Sequence, residues 1–163
     1  MIKSFVFPLL IFIPLLILQL TVIPLISYNN IVPDLIILPV VYFAVKKGQR
    51  FGMLLGFVLG LLFDLFSGGL VGPAMFSKTI TGFIAGYFYN ENKIDLTLGS
   101  AFFMVIVLIC ASIDSLFYSL FSVTENLSTF TTFLIKRSIF PGLYTSAFSL
   151  PSIIYNNKVE KIR

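Results

Sequence analysis

The chain has 163 residues, of which 58% are hydrophobic and only 11% are charged, with a formal net charge of +4. Soluble domains carry about 25% charged residues, so the composition predicts an integral membrane protein without a soluble catalytic domain. The lack of histidine and the single cysteine exclude disulfide frameworks and His/Cys metal sites, and we expect no cofactor. Basic residues that flank apolar runs are typical of topology signals, so we expect membrane lipid and no nucleic acid as a partner.

Apolar runs predict the membrane spans, because about 20 apolar residues cross the hydrocarbon core as a helix. Six spans are expected, with five as the fallback, at about 4–26, 31–47, 51–66, 73–89, 96–121 and 133–155. The second is short; it either crosses with its helix opened at Pro33-Asp34 or forms a re-entrant segment. The sequence therefore predicts an all-α integral membrane protein with six transmembrane helices, and residues 1–163 as a single transmembrane domain.

The distribution of basic residues predicts the orientation. With six spans, eight of them fall on one side of the membrane: Lys3, Lys46, Lys47, Arg50, Lys93, Lys158, Lys161 and Arg163. The loops on the opposite side contain no lysine or arginine. By the positive-inside rule, both termini are expected in the cytoplasm.

Glycine recurs at every fourth position from just before the third span into its middle, at Gly48, Gly52, Gly56 and Gly60. The fourth span carries a second pair with this spacing, Gly82 and Gly86. Small residues four apart allow two membrane helices to approach closely. We expect these glycines to pack the third span against the fourth, and the alternative is a homodimer through the same face.

Five charged residues in the later spans do not fit the loops, namely Asp64, Lys78, Asp114, Lys136 and Arg137. At 1.5 Å per helical residue, all lie roughly 5 to 13 Å from the outer end of their span and so share a layer. Unpaired charges at such depth are costly. We therefore expect Asp64 to pair with Lys78, and Asp114 with Lys136 or Arg137. These residues either fix helix register or form a site for a partner, a ligand or a proton or ion relay.

Three motifs in the first half carry a family resemblance: Pro33-Asp34-Leu35, Gly56-Phe57-Val58-Leu59-Gly60-Leu61-Leu62-Phe63-Asp64 and Lys78-Thr79-Ile80-Thr81-Gly82. Together they resemble the rod shape-determining membrane protein MreD family, over about Ile31 to Tyr89. The resemblance implies a non-enzymatic subunit of the bacterial cell-elongation (rod) complex in the inner membrane. Its implied role is to scaffold MreC beside RodA and a class B penicillin-binding transpeptidase, with the MreB cytoskeleton as an indirect partner.

MreD-like proteins also look like the substrate-binding S components of energy-coupling-factor transporters, which have six helices and a ligand pocket near the outer face. This likeness implies the S-component fold for the chain. It also leaves an alternative function, a small-molecule uptake subunit that binds a vitamin-like ligand.

The candidate functional residues form a polar seam that is expected to be structural or interacting, with no catalytic or metal-binding member. Motif match, glycine spacing and depth counting together select Asp34, Gly52, Gly56, Gly60, Asp64, Lys78, Asp114 and Arg137. Our hypothesis is that the glycine face and the region around Asp64 set the internal packing that presents a docking surface to the membrane helix of MreC.

Overall fold

The computed structural model describes residues 2–26, 32–122, 138–151 and 153–154, with side chains from residue 6 onward. These residues form helices and turns, and no strand occurs among them. The helices are α1 (Ile2–Thr21), α2 (Ile23–Ile26), α3 (Ile37–Lys47), α4 (Gln49–Ser67), α5 (Pro73–Ala85) with a following 3-10 turn (Gly86–Phe88), α6 (Ile94–Gly99), α7 (Ala101–Ser122) and α8 (Phe140–Ala147). The predicted all-α class is confirmed for the described part of the chain.

Within the described residues, α4 and α7 are long and apolar enough to cross a membrane. A shorter apolar stretch, Val6–Thr21, lies in α1. All three helices expose large apolar side chains, such as Leu10, Leu54 and Phe102, each more than half exposed. Contiguous apolar surface of this kind is rare on soluble monomers and suits contact with lipid or with another membrane helix.

The second predicted segment, 31–47, is helical only from Ile37 onward. Residues 32–34 are irregular and the chain bends before α3 begins. Proline explains this boundary, because Pro33 has no backbone N–H and disfavours the helical conformation of the residue before it. The short helix predicted here is thus shorter still, with 11 residues.

The fifth predicted segment, 96–121, is divided between two helices, α6 and α7. The helix is interrupted at Ser100, whose backbone is extended (φ −102°, ψ 163°) between α6 and α7. Gly99 is a poor helix former, and the Ser100 hydroxyl donates to the Thr97 carbonyl at 3.1 Å. The described part of the sixth segment contains α8, which begins with Pro141 in its first turn.

Helix α3 lies at the centre of the described bundle. Seven of its 11 residues are buried, which is expected for a helix that is apolar on every side. On one side, Val41 and Ala44 pack in a cluster that includes Ile106 and Cys110 of α7. On the other side, α3 packs in a second cluster with residues of α1 and α4. The position of α3 leaves the segment before it, which contains Asp34, inside the bundle.

Helices α4 and α5 form a tight antiparallel hairpin. Gly68 ends α4 in the left-handed conformation (φ 70°), and Gly72 precedes α5 with φ 131°. Both conformations favour glycine, since a side chain at such φ values is strained. Pro73 then starts α5, where its missing N–H costs nothing. The turn therefore brings the ends of the two helices together next to Asp64.

Candidate functional site

Lys78 is the centre of a buried ionic cluster. The residue is 1% exposed, and its ammonium group donates to Oδ2 of Asp34 and, at 3.1 Å, to Oδ2 of Asp114. We term these three residues the charged triad; they come from the segment before α3, from α5 and from α7. An ammonium group removed from water is stable only with such partners, because its desolvation is otherwise uncompensated. The triad therefore joins three parts of the bundle at one point.

Asp34 is held in place through both its backbone and its side chain. Its Oδ1 accepts a hydrogen bond from the backbone N–H of Ile36 at 2.8 Å, which closes a local turn. Its own N–H donates to Oγ1 of Thr145 on α8 at 3.0 Å. Oδ2 is thereby free to face Lys78. Asp34 is the most accessible member of the triad, with 23% of its side chain exposed.

Gln19 of α1 fixes the same segment from the opposite side. Its Nε2 donates to the Pro33 carbonyl at 3.0 Å, and its Oε1 accepts from the Leu35 N–H at 2.9 Å. Residues 33–35 are not helical, so these backbone groups have no partner within a helix and need one elsewhere. The buried Gln19 amide supplies both. It acts as a clamp that keeps the segment of Asp34 against the bundle.

Asp114 differs from Asp34 in having one free acceptor. It is 2% exposed and its Oδ2 is bonded to Lys78. Its buried Oδ1 has no hydrogen-bond partner among the described residues. The Ser77 hydroxyl lies close enough to interact with the Asp114 carboxylate, but its geometry is that of a donor to the Ala74 carbonyl, at 3.3 Å. A buried carboxylate oxygen without a donor is unusual and indicates a place where a further donor can bind.

The predicted pair of Asp64 and Lys78 is wrong. Asp64 is buried, but its carboxylate accepts backbone hydrogen bonds from Gly72 at 2.8 Å, Ala74 at 3.2 Å and Met75 at 3.0 Å. The first N–H groups of a helix have no partner inside it and carry partial positive charge. The carboxylate at the end of α4 therefore caps the start of α5. Asp64 stabilises the hairpin and does not belong to the charged triad.

Gly52, Gly56 and Gly60 form a glycine stripe on α4 that packs against α5, as the sequence predicted. A Cβ at Gly52 would overlap the Gly82 carbonyl, and one at Gly56 would lie 2.7 Å from the carbonyl carbon of Lys78. A Cβ at Gly60 would lie 2.5 Å from the Ala74 carbonyl oxygen. Since α5 already covers this face, it is not available for the alternative homodimer. The contact at Gly56 also sets the distance of Lys78 from α4.

Two predicted residues, Lys136 and Arg137, lie outside the described residues. The expectation that Asp114 meets one of them stays a prediction. What the structure adds is that Asp114 pairs with Lys78 of α5. Depth counting thus placed Lys78 and Asp114 in a common layer, in agreement with their contact, but it paired Lys78 with Asp64 instead of Asp114.

A cavity of about 430 Å³ adjoins the triad. Its lining includes Gln19, Asp34, Phe63, Lys78, Asp114 and Tyr118. The Lys78 ammonium lies 5.7 Å from the centre of the Phe63 ring, a distance at which the ring face attracts a cation. The cavity thus combines charged groups with aromatic walls. Its volume falls within the range of small-molecule sites, which is about 300–1,000 Å³.

Comparison with protein-family models identifies the chain. The model described as rod shape-determining protein MreD matches residues 1–159. The chain belongs to the MreD family. Membership in this family assigns the protein to the membrane and to the determination of rod cell shape. No curated protein and no solved structure matched the chain at the significance required.

Two members of the site were not found from the sequence of this MreD-family chain, namely Gln19 and Thr145. Gln19 carries a signal, because it is the only hydrogen-bonding side chain between Ser4 and Thr21. Polar residues in membrane helices usually hydrogen-bond to neighbouring segments, so its isolation indicates an internal contact. Thr145 carries no comparable signal, since several serines and threonines surround it. Its contact with the backbone of Asp34 depends on the fold.

Proposed function

We propose that this MreD-family chain is a non-enzymatic scaffold of the bacterial cell-elongation complex. In this role it holds MreC beside RodA, a class B penicillin-binding transpeptidase and, indirectly, MreB. The observation that carries the proposal is the family match over residues 1–159. The chemistry of the described interior agrees with it, because Asp64 and the glycine stripe serve helix packing.

We further propose that residues 1–163 form one transmembrane domain of six segments in the inner membrane, with both termini in the cytoplasm. The junction of α3 and α4 supports this orientation. Lys46 and Lys47 end α3, and Arg50 follows at the start of α4. The Lys47 ammonium lies 4.4 Å from the centre of the Phe51 ring, so its stem covers apolar surface while its charge reaches the interface. Basic residues at such a junction are typical of the cytoplasmic side.

Docking of MreC requires a helix face that the described residues leave exposed. The face of α1 that carries Phe7, Leu10 and Ile17 meets this condition, because each of these side chains is more than half exposed. Phe12 and Leu16 of the same helix are buried against α3 and α4. In our proposal the core fixes the position of α1, and its exposed face receives the membrane helix of MreC.

Site-specific crosslinking tests this docking surface. A photoreactive phenylalanine analogue is introduced in cells at Leu10, which is 61% exposed, and, as a matched control, at Phe12, which is 2% exposed. We expect a crosslink to MreC from position 10 and none from position 12. The absence of a crosslink from position 10, with normal protein levels, excludes this face; absence from every exposed position of α1, α4 and α7 rejects direct scaffolding of MreC.

Depletion in the native bacterium tests the function itself. The chain is depleted in minimal and in vitamin-rich medium, and cell width and growth are measured. Rounding and lysis in both media support the scaffold. If Gly69→Ala restores cell shape but Asp64→Ala does not, at equal protein levels in the membrane, the α4–α5 hairpin capped by Asp64 is required for function. A growth defect that vitamins correct, in cells of normal shape, rejects the scaffold.

A second function, the substrate-binding S component of a vitamin-type transporter, is supported by one observation. The cavity beside the triad has the volume of a small-molecule site. An S component needs a transmembrane coupling partner and retains its vitamin during purification. Mass spectrometry of the purified protein and its co-purified proteins therefore separates the two functions. A bound vitamin together with a transporter subunit favours uptake, and MreC without a vitamin favours the scaffold.

A further inference from the structure

Asp114, which has a carboxylate oxygen without a partner among the described residues, is one of the residues that line the cavity. Asp114 is almost fully buried, and its Oδ1 has no hydrogen-bond partner among the described residues. Ser115, Tyr118 and Ser119 follow it on the same face of α7 and also line the cavity. The wall formed by α7 thus presents one anionic acceptor and three hydroxyl groups. Such a wall suits a ligand that carries several N–H donors.

The charge of the site restricts the ligand further. The triad contains two carboxylates and one ammonium, so it carries a net charge of about −1 when all three groups are ionised. A cationic ligand neutralises this charge, and an anionic ligand is repelled. A metal ion fits poorly, because Mg²⁺ and Ca²⁺ require six or more oxygen ligands and three of the four carboxylate oxygens already accept hydrogen bonds.

The remaining walls are apolar. Val32, Pro33, Phe63 and Pro141 contribute to the lining and provide contact surface for a short carbon chain. Val32 and Tyr118 are 41% and 37% exposed, so they connect the cavity with the surface. A small cation with an apolar or hydroxylated portion therefore matches the described lining in size, charge and polarity.

We propose that this cavity binds a primary ammonium group, with Asp114 Oδ1 as its principal acceptor. The ammonium group comes either from a free small amine or from the ethanolamine headgroup of a phospholipid. Its three N–H donors bond to Asp114 and to hydroxyls of the α7 wall. The proposal does not rest on the scaffold role, since the site is defined by the triad and the cavity alone.

A comparison of ethanolamine with choline shows whether binding in the cavity depends on hydrogen bonding or on charge alone. Both carry one positive charge and a hydroxyl group, but the quaternary nitrogen of choline has no N–H to donate to Asp114. The purified full chain is titrated with each compound in detergent, and the thermal midpoint of the circular dichroism signal is followed, because a ligand of the native state raises that midpoint. The lipid arm compares nanodiscs of phosphatidylcholine with and without phosphatidylethanolamine, and lipids retained by the protein are counted by native mass spectrometry.

Two variants form a matched pair. Asp114→Asn removes the charge of the free acceptor, while Ser112→Ala removes a second buried oxygen without a described partner, on the same helix but outside the cavity lining. We expect Asp114→Asn to weaken ethanolamine binding at least tenfold, since hydrogen bonds to charged groups are strong, and Ser112→Ala to leave it unchanged. If Asp114→Asn does not fold, Ser119→Ala replaces it, with an expected loss of three- to tenfold.

The detergent titrations and the nanodisc experiment distinguish the possible ligands. Stabilisation by ethanolamine but not choline, lost in Asp114→Asn, supports a free amine as ligand. Selective retention of phosphatidylethanolamine, with no effect of free ethanolamine, supports the lipid headgroup. Equal effects of ethanolamine and choline with no preference for phosphatidylethanolamine, or binding unchanged in the cavity variants, overturns the proposal. Cell-shape complementation by the same variants is scored separately, so a failed ligand test does not count against the scaffold.

Discussion

Lys78 Nζ lies 3.1 Å from Oδ2 of Asp114, and this contact joins α5 to α7 inside the described bundle. Each residue is almost fully buried, so each depends on the other for compensation of its desolvated charge. Asp34 completes the set from the segment before α3. The arrangement explains why a chain with so few charged residues brings these three together: they fix the relative positions of three separate parts of the chain.

Replacing Lys78 with methionine leaves the buried Asp114 carboxylate and the partly buried Asp34 carboxylate without their cation. Removing one partner of a buried ion pair costs about 3–5 kcal/mol, which lowers the thermal midpoint of a chain of this size by roughly 10 °C. Thermal unfolding of the purified variant in detergent measures this change. The double variant Lys78→Met/Asp114→Asn is expected to recover part of the loss, because it removes an uncompensated carboxylate.

The control for this prediction is Lys93→Met. Lys93 is an exposed residue in the turn before α6, so its replacement is expected to change the free energy of unfolding by less than about 0.5 kcal/mol. Equal midpoints for Lys78→Met and Lys93→Met would show that the triad contributes nothing to stability.

Gly56→Ala is expected to be destabilising although alanine favours helix. The gain in helix propensity is about 1 kcal/mol, whereas overpacking costs about 1–3 kcal/mol or more. The steric cost is expected to exceed the gain in helix propensity here, because the new Cβ meets the backbone of Lys78, which cannot rotate away as a side chain could. Gly69→Ala is the matched control, since only the Ser67 hydroxyl lies within 4 Å of a Cβ there, at 3.8 Å. Thermal midpoints that fall equally in both variants would contradict the close α4–α5 contact.

Asp64→Ala is expected to destabilise the α4–α5 hairpin by about 2 kcal/mol, as loss of a helix cap and of buried acceptors does. A double-mutant cycle with Lys78→Met tests the absence of a direct pair. Residues that share no partner have additive effects within about 0.5 kcal/mol. The free energies of unfolding are measured by chemical or thermal unfolding. An interaction energy well above that value would support the Asp64–Lys78 ion pair predicted from the sequence and contradict the assignment of Asp64 as a helix cap.

Local features of the sequence predicted the fold better than the site. The four-residue glycine spacing fixes which faces of α4 and α5 meet, because close approach depends only on these two helices. Residue counting placed Lys78 and Asp114 in a common layer, and their contact agrees with this. It gave the wrong partner for Asp64, because it considered only pairs of charged side chains. The free backbone N–H groups at the start of α5 lie nearest to the end of α4, and these are the groups that Asp64 binds.

The role of Asp34 shows a second limit of the sequence. Its motif marked the residue as important, and Pro33 indicated a helix boundary, yet neither identifies Lys78 as its partner. That contact depends on how far the irregular segment before α3 is drawn into the bundle. Gln19 and Thr145 decide this through hydrogen bonds to backbone groups, and backbone partners leave no complementary residue to find in the sequence.

Gln19→Leu tests whether the clamp positions Asp34. The variant leaves the Pro33 carbonyl and the Leu35 N–H without partners, at a cost of about 1–3 kcal/mol for each buried group. We expect a lower thermal midpoint and faster amide hydrogen exchange at Leu35 and in the following turn, because local opening becomes easier. Thr21→Val is the control, as the Thr21 hydroxyl donates within α1, to the Ile17 carbonyl at 2.6 Å. Unchanged exchange at Leu35 in Gln19→Leu would show that the segment keeps its position through Thr145 and Lys78 alone.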